Sequence, residues 1–291
     1  MVTTASYAPG VIALALSLEA VGSRARLRVF ATCRTAYDSL SAEAAASVPP
    51  PSRLDVELMD IPLPHAEAGA PTHGGRGATL AVDAPRRALW AAGIRFVLLD
   101  CDMIALQNPD ALLDLLDGDG GVCNDENKVM ALWAVPAFRL KKRAFGDVHK
   151  GGGFNAGVMV SPSPSQGDAD ALATLVAGAG PDDTEESLLN ALYRGRWAPL
   201  PRGYNVPKRV RAHAPELWTE LVARREIVFL HFLGAKPWMR DAATRKAADW
   251  EAERKEYTHE LEPIWWKVRL GAHVGKDGTF LYLLDGPSTT R

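Results

Sequence analysis

Short runs of Val, Ile, Leu and Phe recur along the chain, and between them apolar residues return at helical spacing. Runs apolar on both faces suit strands in a sheet interior, and their alternation with helical patterns predicts an α/β fold with a central mixed, largely parallel sheet flanked by helices. The runs Arg26–Thr32, Leu54–Met59, Arg95–Leu99, Phe154–Val160 and Ile227–Phe232 are the predicted strands. A first helix spans Pro9–Val21, with proline near its start and Gly22 just past its end. A second takes Asn108 as N-cap and runs through Leu116; a third is capped by Thr184 and stops at Gly195. Pro49–Ser52 predicts a turn, and the Gly, Pro and His rich stretch Pro62–Gly77 a mobile surface loop beside a site. Residues from about 236 to 291 carry Trp238, Trp250, Trp265 and Trp266, too aromatic for a solvated tail. They predict a helical segment packing back on a single domain that spans 1–291.

Composition narrows the class. With 291 residues, 47% apolar and 23% charged, the chain supports a large core. Lys and Arg number 33 against 35 for Asp and Glu, a formal charge of -2 that supplies no bulk field for nucleic acid or an anionic membrane. Cys33, Cys101 and Cys123 lack the spacing of a disulfide framework or thiolate zinc site and read as small buried apolar residues. The run Val11–Leu18 is far short of a membrane span and no signal sequence is evident, so the expectation is a cytoplasmic protein with no membrane and no nucleic-acid partner.

The chemistry concentrates in Ile94-Arg95-Phe96-Val97-Leu98-Leu99-Asp100-Cys101-Asp102. Polar residues enter this strand only at its carboxyl end, where open α/β sheets bind ligands. Alternation sets Asp100 and Asp102 on one side and Cys101 on the other, so two carboxylates converge on a position suited to a cation. A bland reading also exists, in which Asp100 ends the strand and Asp102 caps a turn. A second apolar strand, Ile227–Phe232, delivers His231, followed closely by Gly234 and Lys236. Imidazole, a glycine that admits close backbone approach and an ammonium together suit a metal-bound phosphate. Haloacid-dehalogenase-type phosphohydrolases also place D-x-D after an apolar strand, with the first Asp as nucleophile. Here the pair lies a third of the way along the chain, and Met103-Ile104 stand where those enzymes have a Thr-containing continuation.

Four blocks in order, Asp100-x-Asp102 within Phe96–Asp110, Phe154-Asn155-Ala156-Gly157-Val158-Met159-Val160, Leu188-Leu189-Asn190 and His231–Trp238, resemble glycosyltransferase family 8, the glycogenin and galactinol synthase group. The similarity runs from about Thr3 to Trp238. The resemblance implies a GT-A, Rossmann-like fold and a Mn²⁺-dependent retaining transferase that moves a hexose or hexuronate from a UDP-sugar. It implies Asp100, Asp102 and His231 as metal ligands, with Mg²⁺ a weaker alternative ion, and Gly234 and Lys236 at the diphosphate. Thr3, Thr4 and Tyr7 match the family's uracil-binding segment, although the family usually has Asn and Asp where Thr4 and Ala5 stand. Asn155 and Gly157 fall at the donor sugar.

Departures from the family pattern carry their own expectations. Arg86 and Arg87 are the nearest equivalents of a phosphate-binding Lys, whose ungapped position is held by Ala84. Asp182, Glu185 and Glu186 align with the acidic motif at the reacting carbon, Glu186 standing where the family usually has Gln. No Tyr lies between Asn205 and Leu230, so self-glucosylation of the glycogenin kind is not expected and the acceptor is a separate small molecule, glycan or protein. The changed residues leave room for a third reading, a UDP-sugar-binding protein that has lost transfer.

Overall fold

The computed structural model describes residues 5–31, 33–58, 85–117, 132–137, 153–161, 165–180, 183–234, 236–239, 261–272, 274–280 and 284. The expected loop Pro62–Gly77 lies outside them, as do Cys123 and Trp250.

The elements in chain order are α1 (Ala8–Ala20), β1 (Leu27–Ala31), α2 (Arg34–Ala46), β2 (Leu54–Leu58), β3 (Phe96–Leu99), β4 (Met103–Ala105), α3 (Ala111–Asp117), β5 (Leu132–Pro136), β6 (Phe154–Ser161), α4 (Gln166–Ala177), α5 (Glu185–Leu192), β7 (Trp197–Pro199), β8 (Val206–Pro207), α6 (Val210–His213), α7 (Pro215–Ala223), β9 (Phe229–His231) and α8 (Glu262–Arg269). A further helix occupies residues 85–91. Each apolar run of the sequence contains a strand. The strands gather into three sheets, β1-β2, β3-β6-β5-β7 and β4-β9-β8. Mixed orientation is as expected, but the pairing is not largely parallel: β1-β2, β5-β7 and β8-β9 are parallel, while β3-β6, β5-β6 and β4-β9 are antiparallel. Between β1 and β3, side chains including Leu27, Phe30, Phe96, Val97 and Leu112 line a cavity of about 320 Å³.

β6 is buried at every position except half-buried Asn155, as a strand paired on both edges should be. Its register against β5 breaks near the site: Ala134 pairs with Met159, yet the next residue, Val135, pairs with Asn155. The bulge therefore lies on β6 over Ala156–Val158. Side chains change sides there, Phe154, Ala156 and Met159 joining one buried cluster and Val158 and Val160 another. Bulges commonly re-aim side chains beside active sites, and this one turns Asn155 and Gly157 towards β9.

Helix ends follow local chemistry. Thr184 caps α5 through its hydroxyl, which accepts from Ser187 N–H at 3.1 Å, while Ser187 Oγ accepts from Thr184 N–H at 2.9 Å. The helix stops at Leu192, three residues short of the glycine expected to end it. Asn108 is not a helix cap. Its Oδ1 accepts from Asp110 N–H at 2.8 Å, closing a turn, and α3 begins only at Ala111.

The largest buried cluster joins α1, β4, β9 and α8. Ser17 satisfies itself inside it, donating to Leu14 O at 2.8 Å and accepting from Ala105 N–H at 2.9 Å. Trp265 of α8 is fully buried there, its ring 5.2 Å from that of Trp238. Trp265→Ala should lower the free energy of unfolding by about 3–5 kcal/mol. Chemical denaturation monitored by circular dichroism measures the change.

Candidate functional site

The acid pair spans two sheets. At the end of β3, Asp100 N–H donates to Gly157 O of β6 at 2.9 Å; two residues later Asp102 O accepts from Phe232 N–H, just past β9, at 2.8 Å. Cys101, between them, turns into the apolar cluster beneath α1. Cys33 and Cys101 are unpaired and half-buried, and desolvation, with Asp102 adding, pushes the Cys101 thiol up to about 12. It is no thiolate ligand.

The carboxylates emerge on the opposite side against His231. Its Nε2 lies 3.0 Å from Asp102 Oδ1 and 3.6 Å from Asp100 Oδ2, and one ligand atom from each residue falls within 4.8 Å of the others. His231 and Asp102 are buried, whereas the Asp100 side chain keeps 44% of its surface open, so the cluster has an entrance on the Asp100 side. Two carboxylates and an imidazole form a donor set that a divalent cation fits.

Lys236 closes the inner wall. Its Nζ pairs with Asp102 Oδ2 and donates to Phe232 O at 3.2 Å. Burial alone would raise the Asp102 pKa, but a charged His231 ring and Lys236 hold it well below the usual carboxylate range. Lys236 is shifted upward, the attraction of Asp102 outweighing its own desolvation. Asp100 goes the other way: crowding by protein pushes it up to about 6, with Asp102 adding and His231 opposing, and its open face tempers the rise.

A row of amides leads away from His231. Asn205 Oδ1 lies 2.8 Å from His231 Nδ1, and Asn205 Nδ2 donates to Asn155 Oδ1 at 2.6 Å. Asn155 Oδ1 also accepts from Gly157 N–H at 3.0 Å, and Asn155 Nδ2 donates to Glu186 Oε2 at 2.7 Å. Gly157 is where the backbone must pass close: an added Cβ would sit 2.8 Å from His231 Cε1 and 2.9 Å from Asn155 Oδ1. Asn190 braces β6 against α5, accepting from Phe154 N–H at 2.8 Å and donating to Phe154 O at 2.9 Å.

Arg86 does not reach outward as a surface phosphate ligand would. Its guanidinium is buried over Trp90 and pairs with Glu185 at the start of α5, leaving Nε and Nη1 without a hydrogen-bond partner among the described residues. Arg87 beside it is half-buried. On the other flank, Tyr7 packs edge-on against Trp238 at 6.2 Å, and Trp238 Nε1 donates to Ser6 O at 2.6 Å. Burial raises the Tyr7 pKa, with Lys236 opposing and Asp102 and Asp100 adding to the rise. Gly10 permits the close approach of Trp238, since a Cβ there would lie 2.6 Å from Cys101 O and 2.5 Å from Trp238 Cη2. Gly234 adopts φ 79°, a conformation open to glycine, in the turn before Lys236. Thr3, Thr4 and Asp182 lie outside the described residues. Asn205, Asn190 and Gly10 were not among the sequence candidates. Asn190 and Gly10 had a signal, each as the last residue of a family-like block, Leu188–Asn190 and Thr3–Gly10.

The sequence profile of glycosyl transferase family 8 matches residues 92–242, just over half of the chain, and takes in Asp100, Asp102, Asn155, Glu185, Glu186, His231 and Lys236. The chain belongs to this family. No curated protein matches it. Among solved structures, the galactosyltransferase LgtC in complex with donor and acceptor sugar analogs is 18% identical, with a TM-score of 0.52 over 88% of this chain and 96% of that one. LgtC has also been solved as an active-site mutant in which glutamate replaces glutamine. The bifunctional glycosyltransferase WbbM gives a TM-score of 0.55 at 16% identity over 91% of this chain. The apo form of GlyE from Streptococcus pneumoniae TIGR4 gives 0.54 at 16% identity over 95% of this chain. This chain spans 50% of the WbbM chain and 59% of the GlyE chain. The fold is that of the GT-A glycosyltransferases. No helix among the described residues is long and apolar enough to cross a membrane.

Gly157→Ala should drive His231 out of register and weaken binding of a divalent cation, read by titration calorimetry. Acid should also destabilise the metal-free protein through Asp102. A carboxyl depressed on folding contributes stability above its unfolded pKa of about 3.9 and loses it as pH falls from there toward the folded value. Thermal melting should therefore decline below about pH 4, and less steeply in Asp102→Asn.

Proposed function

We propose that this family 8 enzyme transfers a hexose or hexuronate from a UDP-sugar to a separate acceptor, using Mn²⁺ and retaining anomeric configuration. The observation that carries the reading is the convergence of Asp100, Asp102 and His231 at one point, with Lys236 directly behind Asp102. Membership of the family sets aside the phosphohydrolase alternative.

An imidazole among the ligands favours Mn²⁺ over Mg²⁺, and the bound ion would supply Lewis-acid neutralisation of the leaving diphosphate. Lys236, already charged in its buried setting, would add fixed positive character at the same oxygens. Tyr7, against Trp238, would stack on the uracil, with Thr3 and Thr4 beside it. Asn155 and Gly157 would floor the sugar pocket, the amide offering both donor and acceptor character to hydroxyls.

Glu185, held by Arg86, and Asp182 would face the positive charge that develops on the sugar ring. The acceptor hydroxyl attacks from the face on which UDP departs. A diphosphate oxygen takes its proton as the bond to UDP breaks and the new glycosidic bond forms, so configuration is kept. Glu186 has one oxygen committed to Asn155 Nδ2 and to Ala156 N–H, at 2.7 and 3.2 Å, which favours a positioning part over attack on the sugar. The Gln-to-Glu exchange of the LgtC active-site mutant is the same kind of exchange that Glu186 makes against the family's usual Gln.

Asp102→Asn should abolish sugar transfer and remove the Mn²⁺ dependence of UDP binding, measured by product assay and calorimetry. A melting panel of UDP-sugars should show upward shifts only with Mn²⁺ present, because a ligand selective for the folded state raises its midpoint. Unchanged turnover in Asp102→Asn overturns the assignment, and tight UDP-sugar binding with neither transfer nor hydrolysis across many acceptors overturns the enzymatic part.

A further inference from the structure

The hydrogen-bond directions around His231 can be worked out from fixed donors. A backbone N–H only donates, so the Asn155 atom 3.0 Å from Gly157 N must be its oxygen. The nitrogen of the same amide then faces Glu186 Oε2 at 2.7 Å, an acceptor already receiving Ala156 N–H, so both ends of Asn155 agree. Asn205 presents an atom 2.6 Å from the Asn155 oxygen; this must be its Nδ2, the donor. Its oxygen is thereby left facing His231 Nδ1 at 2.8 Å. An amide oxygen only accepts. The proton of a neutral His231 ring accordingly sits on Nδ1, and Nε2 turns a bare lone pair towards carboxylate oxygens 3.0 and 3.6 Å away.

Lone pairs from three groups meeting at one corner repel unless a cation lies among them. Left to itself, a neutral imidazole beside Asp102 would put its proton on Nε2 and donate to the carboxylate. Asn205 blocks that outcome, and with Asn205 and His231 both buried, water is poorly placed to take over its role. Metal-bound histidines are commonly fixed through their second nitrogen in this way.

We propose that Asn205 is a positioning residue that holds His231 in the Nδ1-protonated tautomer, leaving Nε2 as the ligand atom, and that the Gly157 amide sets the direction of this lock through Asn155. The proposal deepens the metal-dependent reading and rests on it for its purpose, but its first readout needs no metal.

Nitrogen-15 NMR of the histidine rings in metal-free protein, in alkaline buffer where the rings are neutral, distinguishes the tautomers. Wild type should show His231 protonated at Nδ1, and Asn205→Leu should move the proton to Nε2. Calorimetric Mn²⁺ affinity should fall roughly 10- to 100-fold in Asn205→Leu. Asn205→Asp, which still offers an acceptor to Nδ1–H, should lose less. An Nε2-protonated His231 in wild type overturns the proposal, as does Asn205→Leu with wild-type Mn²⁺ affinity. Should Asn205→Leu fail to fold, the wild-type spectrum and Asn205→Asp still decide. Wild type that binds no Mn²⁺ while showing the Nδ1 proton would sink the metal-dependent function and leave the tautomer lock standing.

Discussion

Two backbone hydrogen bonds decide where every polar group of the site stands: Asp100 N–H to Gly157 O, and Phe232 N–H to Asp102 O. They pin one tripeptide between two sheets. From one side β6 brings Asn155 and Gly157, and from the other β9 brings His231, so groups far apart in the chain meet without any long loop having to be ordered around them. Backbone bonds are well suited to this task because they do not depend on rotamers. The close fit also needs missing side chains: Gly157 clears space for the imidazole, and Gly10 lets α1 settle over Cys101.

The electrostatics follow from that convergence. Burying Asp102 would be costly alone, and the Lys236 ammonium paired with it makes its charge tolerable. Asp100 pairs with no ammonium among the described residues and stays at the open edge, its pKa pushed up to about 6. The pair is thus asymmetric, one acid fixed in the ionised state and its neighbour left responsive to whatever cation arrives. Arg86 and Glu185 repeat the arrangement on a smaller scale, a buried cation steadying an acid at a helix start.

How much of this was legible depended on range. β1, β2, β3, β6 and β9 showed because buried strands need unbroken apolar runs, whereas β4, β5, β7 and β8 fall outside the predicted runs. Asp100 and His231 showed as the first polar residues at the ends of two runs, and Asp102 as the acid two positions on. The α5 cap was readable in Thr184. Asn108 misled, since a side chain able to cap a helix can equally close a turn on Asp110, and only the following backbone chooses between them. Arg86 and Glu185 could be named but not paired: they stand 99 residues apart, and nothing local tells an arginine that will be buried from one that will be solvated. Asn205 carried no signal at all. A single amide in a connection gains meaning only from partners on β6 and β9. The division into three sheets was equally hidden, because strand partners are long-range choices.

The two ends of the site are rooted in different places. The ring stack of Trp238 on Trp265 belongs to the large apolar cluster shared by α1, β4, β9 and α8, whereas Phe154, Ala156, Leu188 and Leu189, which carry Asn155 and Glu186, belong to the smaller cluster around Trp90. The two clusters share no buried side chain, so a substitution around Trp90 can shift α5 while the contact of Trp238 with Trp265 keeps its own support.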